Sequence, residues 1–285
     1  MANETLSAQI AGIVIDIEAD VQYILNHQNP ILDLVRTKDT QGIPGKTVDF
    51  PAYGAIASSD VNSTAEGTDV TSNKQVTNTE TEATVAEHVI MATVSDLAVM
   101  STRNQLVDDI VLLFTDGIRA KLEDDIMNLL TAFTQTVAGA ATTITSDHWM
   151  DAIRQIAAAK GNLNELVAFL SPKQVWGAKG IQNFLVTPAL DSGGVGETFK
   201  NVGWVGNYAG VDIYWSNEIN EDIGSGGDAA GGMFSKRAIG LNWKGVTIGV
   251  ERNESLRGFE IVATGRWGEI ELVDTWGVYM LSDVA

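Results

Sequence analysis

The chain has 285 residues, of which 45% are hydrophobic and 19% charged, a balance typical of a folded globular protein. Its 37 acidic and 18 basic side chains give a formal net charge of -19. Proteins that bind nucleic acid through phosphates, or that lie on anionic membranes, need clustered Lys and Arg, and this sequence has no such cluster. The absence of cysteine excludes disulfides and thiolate chemistry.

Apolar residues recur at helical spacing near the start of the chain and predict an amphipathic helix that ends at Asn29-Pro30. No basic region precedes an apolar run here, so we expect no export signal, and no apolar run reaches membrane length. A helix with one apolar face needs a groove, in its own subunit or in a neighbour. Its stripe consists of Ile10, Ile13, Val14, Ile17, Val21, Ile24 and Leu25.

A long polar segment then separates two strand-like segments, 46–53 (KTVDFPAY) and 84–94 (TVAEHVIMATV). The residues between them are rich in Ser, Thr, Asn and acids, so they cannot bury themselves, and their threonines favour extended structure. We therefore predict a protruding β-hairpin arm with these segments as its two strands.

The helical period returns over residues 104–135. At 1.5 Å per residue this helix would be about 45 Å long, so we predict that it forms the backbone of the fold. Gly117, in its middle, predicts a bend or a close contact. The apolar face consists of Leu106, Ile110, Leu113, Phe114, Ile118, Leu122, Ile126, Leu129, Leu130 and Phe133.

The remaining elements are mixed and then mostly β. A helix is predicted over 147–160, capped by Ser146 or Asp147, and a strand over 166–170 precedes a short helix that starts at Ser171-Pro172. Because helices and strands do not alternate regularly, the fold class is α+β. The closing strands are predicted at 201–208, 211–217, 238–245, 246–252, 258–273 and 275–281.

The glycine-rich stretches do not fit a phosphate-binding loop. Gly203, Gly206 and Gly210 have the wrong spacing, and GSGGDA at 224–229 matches G-x-G-x-x-A without the strand and helix that this motif requires. We predict a flexible surface loop for the second stretch. For the first we predict a tight corner between strands, packed by Trp204, Tyr208, Tyr214 and Trp215.

Titratable residues give no convincing active site. His27, His88 and His148 are isolated and lack metal-ligand spacing, which favours ordinary hydrogen-bonding roles, and we predict no cofactor, no metal and no enzymatic activity. The acids of the long helix lie opposite its apolar stripe, with Arg119–Glu123 and Lys121–Asp125 at i,i+4, so we favour a solvated face over the alternative of a hydrolase with paired carboxylates. These acids are Asp108, Asp109, Asp116, Glu123, Asp124 and Asp125.

Residues 205–217 (VGNYAGVDIYWSN), a glycine turn before an apolar strand that ends in Ser216 and Asn217, resemble a pattern of tailed-phage major capsid proteins. The stretches 166–180 (LVAFLSPKQVWGAKG) and 259–283 resemble a strand and helix of that family and its closing strands. The order of elements resembles the family's HK97-like fold throughout. The resemblance implies an N-terminal arm (1–45), an extended β-hairpin called the E-loop (46–94), a P-domain with the spine helix (95–139), an A-domain (140–231) and closing β strands that return to the P-domain (232–285).

The resemblance also implies a function. The chain would be a shell subunit that forms pentamers and hexamers and encloses double-stranded DNA without sequence-specific binding or a membrane. It would be made in the host cytoplasm, reside in the virion and meet scaffold, portal and decoration proteins; an encapsulin-type compartment is the near alternative. Assembly contacts are expected in the E-loop (Asp60, Glu66, Asp69, Lys74, Glu80, Glu82), on the polar face of the spine helix (Asp109, Asp116, Arg119, Glu123) and in an A-domain loop (Asp191, Glu197, Lys200).

Overall fold

The computed structural model describes residues 31–53, 56, 58–61, 63–69, 74–97, 106–181, 204–223 and 227–284, with the backbone alone at 106–109, 111 and 112. The predicted terminal helix at 10–25 and the A-domain loop residues Asp191, Glu197 and Lys200 lie outside these ranges. Within these ranges the α-helices are α1 (Ile31–Leu34), α2 (Leu106–Leu130), α3 (Ser146–Ala158) and α4 (Pro172–Trp176). The strands are β1 (Arg36–Asp39), β2 (Thr47–Tyr53), β3 (Asn78–Thr84), β4 (Ala86–Ser95), β5 (Thr136–Ala138), β6 (Leu166–Leu170), β7 (Trp204–Tyr208), β8 (Val211–Trp215), β9 (Asp228–Ser235), β10 (Ile239–Asn253), β11 (Gly258–Glu271) and β12 (Gly277–Asp283).

The strands of the described residues form two large sheets and one separate two-stranded sheet. A four-stranded sheet has the order β1-β10-β11-β4, and a six-stranded sheet has the order β5-β12-β9-β6-β8-β7. The third sheet is the hairpin β2–β3. Helices and strands are thus arranged as α+β, as the sequence predicts.

The long helix α2 packs against both large sheets. Its buried side chains include Phe114, Leu122 and Leu130, which share one apolar core with Trp267 of β11 and Phe234 of β9. A second core lies on the other face of the six-stranded sheet, where α3 places Trp149 and Ile156. Strand β6 is buried along its whole length because alternate residues enter the two cores.

Local capping follows the predicted signals closely. Ser171 caps α4, with Pro172 at its first position and Gln174 completing a reciprocal pair of hydrogen bonds. Helix α3 begins at Ser146, and its cap is Thr145, one residue earlier than predicted, paired with His148. His148 therefore has the hydrogen-bonding role that the sequence favours.

The corner between β7 and β8 is a two-residue turn. Ala209 and Gly210 have φ of 53° and 84°, a combination typical of the type I′ hairpin turns that favour glycine. The Asn207 side chain donates to Asp212 (2.8 Å) and accepts from the Gly210 amide (3.2 Å). Aromatic rings pack this region as predicted, since Tyr208 contacts Trp149 edge-on and Trp215 contacts Trp176 edge-on.

The prediction of a flexible surface loop around 224–229 is wrong for its second half. Residues 228–235 form β9, a strand with all eight residues buried. Its glycines permit close approach, because a Cβ at Gly231 would lie 2.6 Å from Gln174 Oε1 and a Cβ at Gly232 would lie 3.1 Å from the Leu130 side chain. The sequence pattern is typical of a loop because the close packing around β9 requires glycines, which have low strand propensity.

A β-hairpin is present in this region, but its second strand is not the one that the sequence predicts. β2 pairs with β3 in antiparallel register from Thr47↔Thr84 to Tyr53↔Asn78. The segment predicted as the return strand is β4, which pairs with β11 in the four-stranded sheet. The chain thus leaves the hairpin at Thr84 and enters the sheet after Val85.

Helix α2 ends at Leu130 instead of 135. The chain turns after Leu130, the amide of Thr134 donates to Asp274 (2.8 Å), and residues 136–138 form strand β5. Phe133 is still buried beyond the helix end, whereas Leu113, predicted on the apolar stripe, is 66% exposed. The two strands predicted at 238–245 and 246–252 are one strand, β10, with a register shift between Trp243 and Val246.

The last four strands of the chain belong to two different sheets. Strands β10 and β11 belong to the four-stranded sheet with β4, whereas β9 and β12 belong to the six-stranded sheet. The predicted boundary between the A-domain (140–231) and the closing strands (232–285) would therefore cut β9 in two.

Candidate assembly surfaces

The hairpin β2–β3 exposes both acidic and apolar side chains. Of the predicted contact residues, Glu66, Asp69, Glu80 and Glu82 are exposed, and Glu80 accepts a hydrogen bond from Asn78 (3.0 Å). Lys74 and Asp60 form an ion pair of 3.1 Å that joins the two sides of the tip. Large apolar side chains on the same arm are also exposed, namely Tyr53, Ile56, Val61 and Val76. Apolar groups grouped on one protruding element are typical of a surface that binds a partner.

The polar face of α2 contains the ion pairs predicted from the sequence. Arg119 contacts Glu123 at 2.9 Å, and Lys121 contacts Asp125 at 2.6 Å and Asp124 at 3.0 Å. The hydrogen bonds from Lys121 to Asp125 and Asp124 raise the pKa of the Lys121 ammonium group. Asp116 is exposed on this face, and Asp109 lies in α2 with its side chain outside the description.

A groove of about 260 Å³ separates this helix face from the end of β8. Ser216 donates to the second oxygen of Glu123 at 3.1 Å, which ties the strand end to the helix. Burial raises the pKa of Glu218, and the negative charges of Glu123 and Asp124 add to this effect. Sequence reasoning missed Glu218 as a neighbour of the helix acids, because only the tertiary fold brings residue 218 beneath α2.

The side chains around Asp125 connect helix α2 to strands β4 and β11 of the four-stranded sheet. Asp125 Oδ1 pairs with Lys121, and Oδ2 accepts from Trp267 Nε1 at 3.1 Å. His88 stacks on the Trp267 ring at 4.1 Å and has its Nε2 3.7 Å from Asp125 Oδ2. A histidine and a carboxylate therefore do converge, as a hydrolase would require, but both carboxylate oxygens already hold structural partners.

Two further features of the described residues bear on the kind of site. Within those ranges, no group of three or more His, Asp or Glu side chains is arranged to hold a metal ion. Among the same residues, no helix is long and apolar enough to span a membrane.

Comparisons with known proteins bear on the fold. No protein-family model matches the chain, and no curated protein sequence matches it. Solved structures do: the capsid of Ralstonia phage GP4 aligns with a TM-score of 0.63 at 12% identity, over 88% of this chain and 87% of that one. The capsid structure of cyanophage P-SCSP1u aligns at 0.62 and 14% identity, over 87% and 86%. This is the fold of phage capsid proteins.

The predicted HK97-like fold is therefore confirmed, and the match extends over nearly the whole chain. A virus-like particle from Pyrococcus furiosus also aligns, with a TM-score of 0.58 at 10% identity over 94% of this chain and 98% of that one. The same capsid fold is thus found in particles of more than one kind.

Proposed function

We propose that this chain is the major capsid protein of a tailed phage, a structural subunit without enzymatic activity. The observation that carries the proposal is that the chain aligns along nearly its whole length with phage capsid subunits. It also extends an arm whose apolar side chains have few neighbours in their own subunit. Copies of the subunit would form pentamers and hexamers and close into an icosahedral shell around double-stranded DNA in the virion.

The energetics favour assembly through packing. Interfaces of standard size bury about 800 Å² per partner, and apolar burial contributes about 25 cal/mol per Å². A net charge of -19 opposes the approach of identical subunits. Packing contacts must therefore outweigh this repulsion, and added salt should favour assembly by screening it.

The surfaces proposed for these contacts are the E-loop acids with their exposed apolar neighbours and the polar face of α2. Under this proposal the four-stranded sheet with α2 corresponds to the P-domain, and the six-stranded sheet with α3 and α4 to the A-domain. Scaffold, portal and decoration proteins would be further partners. An encapsulin-type shell is the alternative, and it would differ in its contents and not in its assembly.

Sedimentation and negative-stain microscopy of the purified protein test the proposal. We expect capsomer rings or closed shells, in amounts that increase with salt. A stable monomer over a wide range of salt and protein concentration would contradict it. The nucleic-acid content of particles isolated from their natural source separates a phage head, which holds DNA, from a cargo compartment.

A further inference from the structure

The base of the hairpin β2–β3 is buried, although most of its length is exposed. Phe50 and Ala83 are 1% and 0% exposed, whereas all of β3 from Asn78 to Glu80 is exposed. Arg36 and Lys38 of β1 lie over the Phe50 ring at 5.6 and 4.9 Å from its centroid. Strand β1 pairs with β10, so the hairpin base lies against one end of the four-stranded sheet.

Hydrogen bonds fix this base to the sheet. Asn242 of β10 is fully buried; its Oδ1 accepts from Thr40 Oγ1 (2.6 Å) and its Nδ2 donates to the Ala83 carbonyl (3.4 Å). Lys38 donates to the Asp49 carbonyl (2.5 Å), and the Val85 amide donates to the Lys46 carbonyl (2.9 Å). One buried amide thus links both chain segments that border the hairpin, residue 40 before it and residue 83 at its end.

The residue opposite Asn242 on β11 is Gly268, and the hairpin crosses directly above it. A Cβ at Gly268 would lie 2.2 Å from the Thr84 carbonyl oxygen and 2.6 Å from the Thr84 carbonyl carbon. These are backbone atoms, which cannot rotate away as a flexible side chain can. A side chain here would therefore push the end of the hairpin outward by at least about 1 Å.

We infer that Asn242 and Gly268 are positioning residues for assembly, which set the angle between the hairpin and the four-stranded sheet. The inference rests on the proposed function, in which the arm reaches a neighbouring copy. The paired part of the hairpin is about 20 Å long at 3.3 Å per residue, so a tilt at its base displaces its tip by a larger distance. The direction of the arm, and hence the curvature of the shell, is then determined inside each subunit before assembly.

The test compares Gly268→Ala with Gly249→Ala. Gly249 lies on the same sheet, and a Cβ there would have no heavy atom within 4 Å, so the second variant is a matched control. Hydrogen exchange is measured on free subunits, at amides of 78–85 and, as a fold reference, at amides of β9. Shells are then counted and measured by electron microscopy.

We expect Gly268→Ala to lose protection at 78–85 while β9 stays protected, and to give open or irregular assemblies in place of closed shells. Gly249→Ala should match the unmodified protein in both measurements. Thr40→Val is nearly isosteric and removes the hydroxyl that donates to Asn242 (2.6 Å) and, at 3.4 Å, to the Trp243 carbonyl. It should act in the same direction with a smaller effect, and it replaces Gly268→Ala if that variant fails to fold. Unchanged protection at 78–85, or shells of normal size despite lost protection, would overturn the inference. A protein that never assembles would contradict the proposed function while the exchange measurement still tests the hairpin base.

Discussion

Strand β9 and the hairpin β2–β3 are both poor in large apolar side chains, yet they are buried to opposite extents. β9 (DAAGGMFS) is buried at every residue, whereas in β3 (NTETEAT) Ala83 alone is buried. In β9 the side chains are small because α2 and α4 approach the strand closely. In the hairpin they are polar because water surrounds them.

Low hydrophobicity therefore has two physical meanings in this chain. In the interior it marks a place where backbone and neighbouring side chains need space, so added atoms are destabilising. On the arm it marks a segment that contributes little to the subunit's own stability and remains available to a neighbour. The same kind of substitution should consequently have very different effects in the two regions.

The largest effect is expected where α2 packs on β9. Leu130 is fully buried and lies against Gly232, so Leu130→Asp should reduce the free energy of unfolding by at least about 3 kcal/mol, because it removes a buried apolar side chain and buries a charge. Soluble expression should be lost. Leu113→Asp on the same helix is the control, and at this exposed position it should cost under about 1 kcal/mol. Equal losses in the two variants would mean that α2 does not pack as described.

A smaller but still clear effect is expected within β9 itself. A Cβ at Gly231 would lie 2.6 Å from Gln174 Oε1, 2.7 Å from Leu170 Cδ2 and 3.0 Å from the Phe169 carbonyl oxygen. Gly231→Ala should therefore reduce the free energy of unfolding by about 1–3 kcal/mol, measured by denaturant titration. Gly249→Ala adds the same methyl group in open space and should have no destabilising effect. If the two alanine variants were equally stable, the small residues of β9 would not reflect close packing.

These two positions also show what the sequence could and could not predict. Periodicity identified α2 and most of the stripe that faces the core, and Ser171-Pro172 identified the start of α4, because both signals are local. β9 could not be identified, since the reason for Gly231 and Gly232 is the proximity of residues 174 and 130, which only the tertiary fold creates. The second hairpin strand is predicted in the wrong place because the residues of β4 have the stronger strand pattern. Their actual partner is β11, which is distant in sequence, so the pairing also depends on the tertiary fold.

The candidate surfaces were predictable to a similar degree. The i,i+4 pairs of α2 follow from helix geometry, and both are present. The position of Glu218 next to the same face, after the end of β8, depends on the tertiary fold and could not be predicted. The hairpin acids are local features of a polar arm, and their contacts with a neighbouring copy stay a prediction.

A third, smaller effect concerns Glu218, whose pKa is raised by burial and then by Glu123 and Asp124. Because the folded state favours the protonated carboxyl, this contribution to stability is complete below the ordinary pKa of 4.5 and is lost as pH rises through the higher folded value. Glu218→Gln should thus be more stable than the unmodified protein at pH 7 by less than about 1 kcal/mol. The difference should disappear towards pH 4.5, and unfolding midpoints measured between pH 4.5 and pH 8 test this. A difference that does not depend on pH would show that the ionisation of Glu218 in the groove is not its cause.

The smallest effect on the subunit is expected at the hairpin tip. Glu66 and Asp69 are exposed, so Glu66→Gln with Asp69→Asn should change the free energy of unfolding by no more than about 0.5 kcal/mol. Assembly should respond more strongly, because we propose that these carboxylates contact a neighbouring copy; the protein concentration needed for shells should rise.

The control for this last prediction is Asp222→Asn with Glu251→Gln, two exposed carboxylates outside the hairpin that give the same change in net charge. If charge repulsion alone mattered, both double variants would assemble at lower salt than the unmodified protein, since each removes two negative charges from a subunit of net charge -19. Weaker assembly of the hairpin variant, together with easier assembly of the control, would assign the hairpin acids to direct contacts. If the two variants behave alike, the arm's carboxylates act only through net charge, and the apolar side chains of the arm remain as its contribution to the interface.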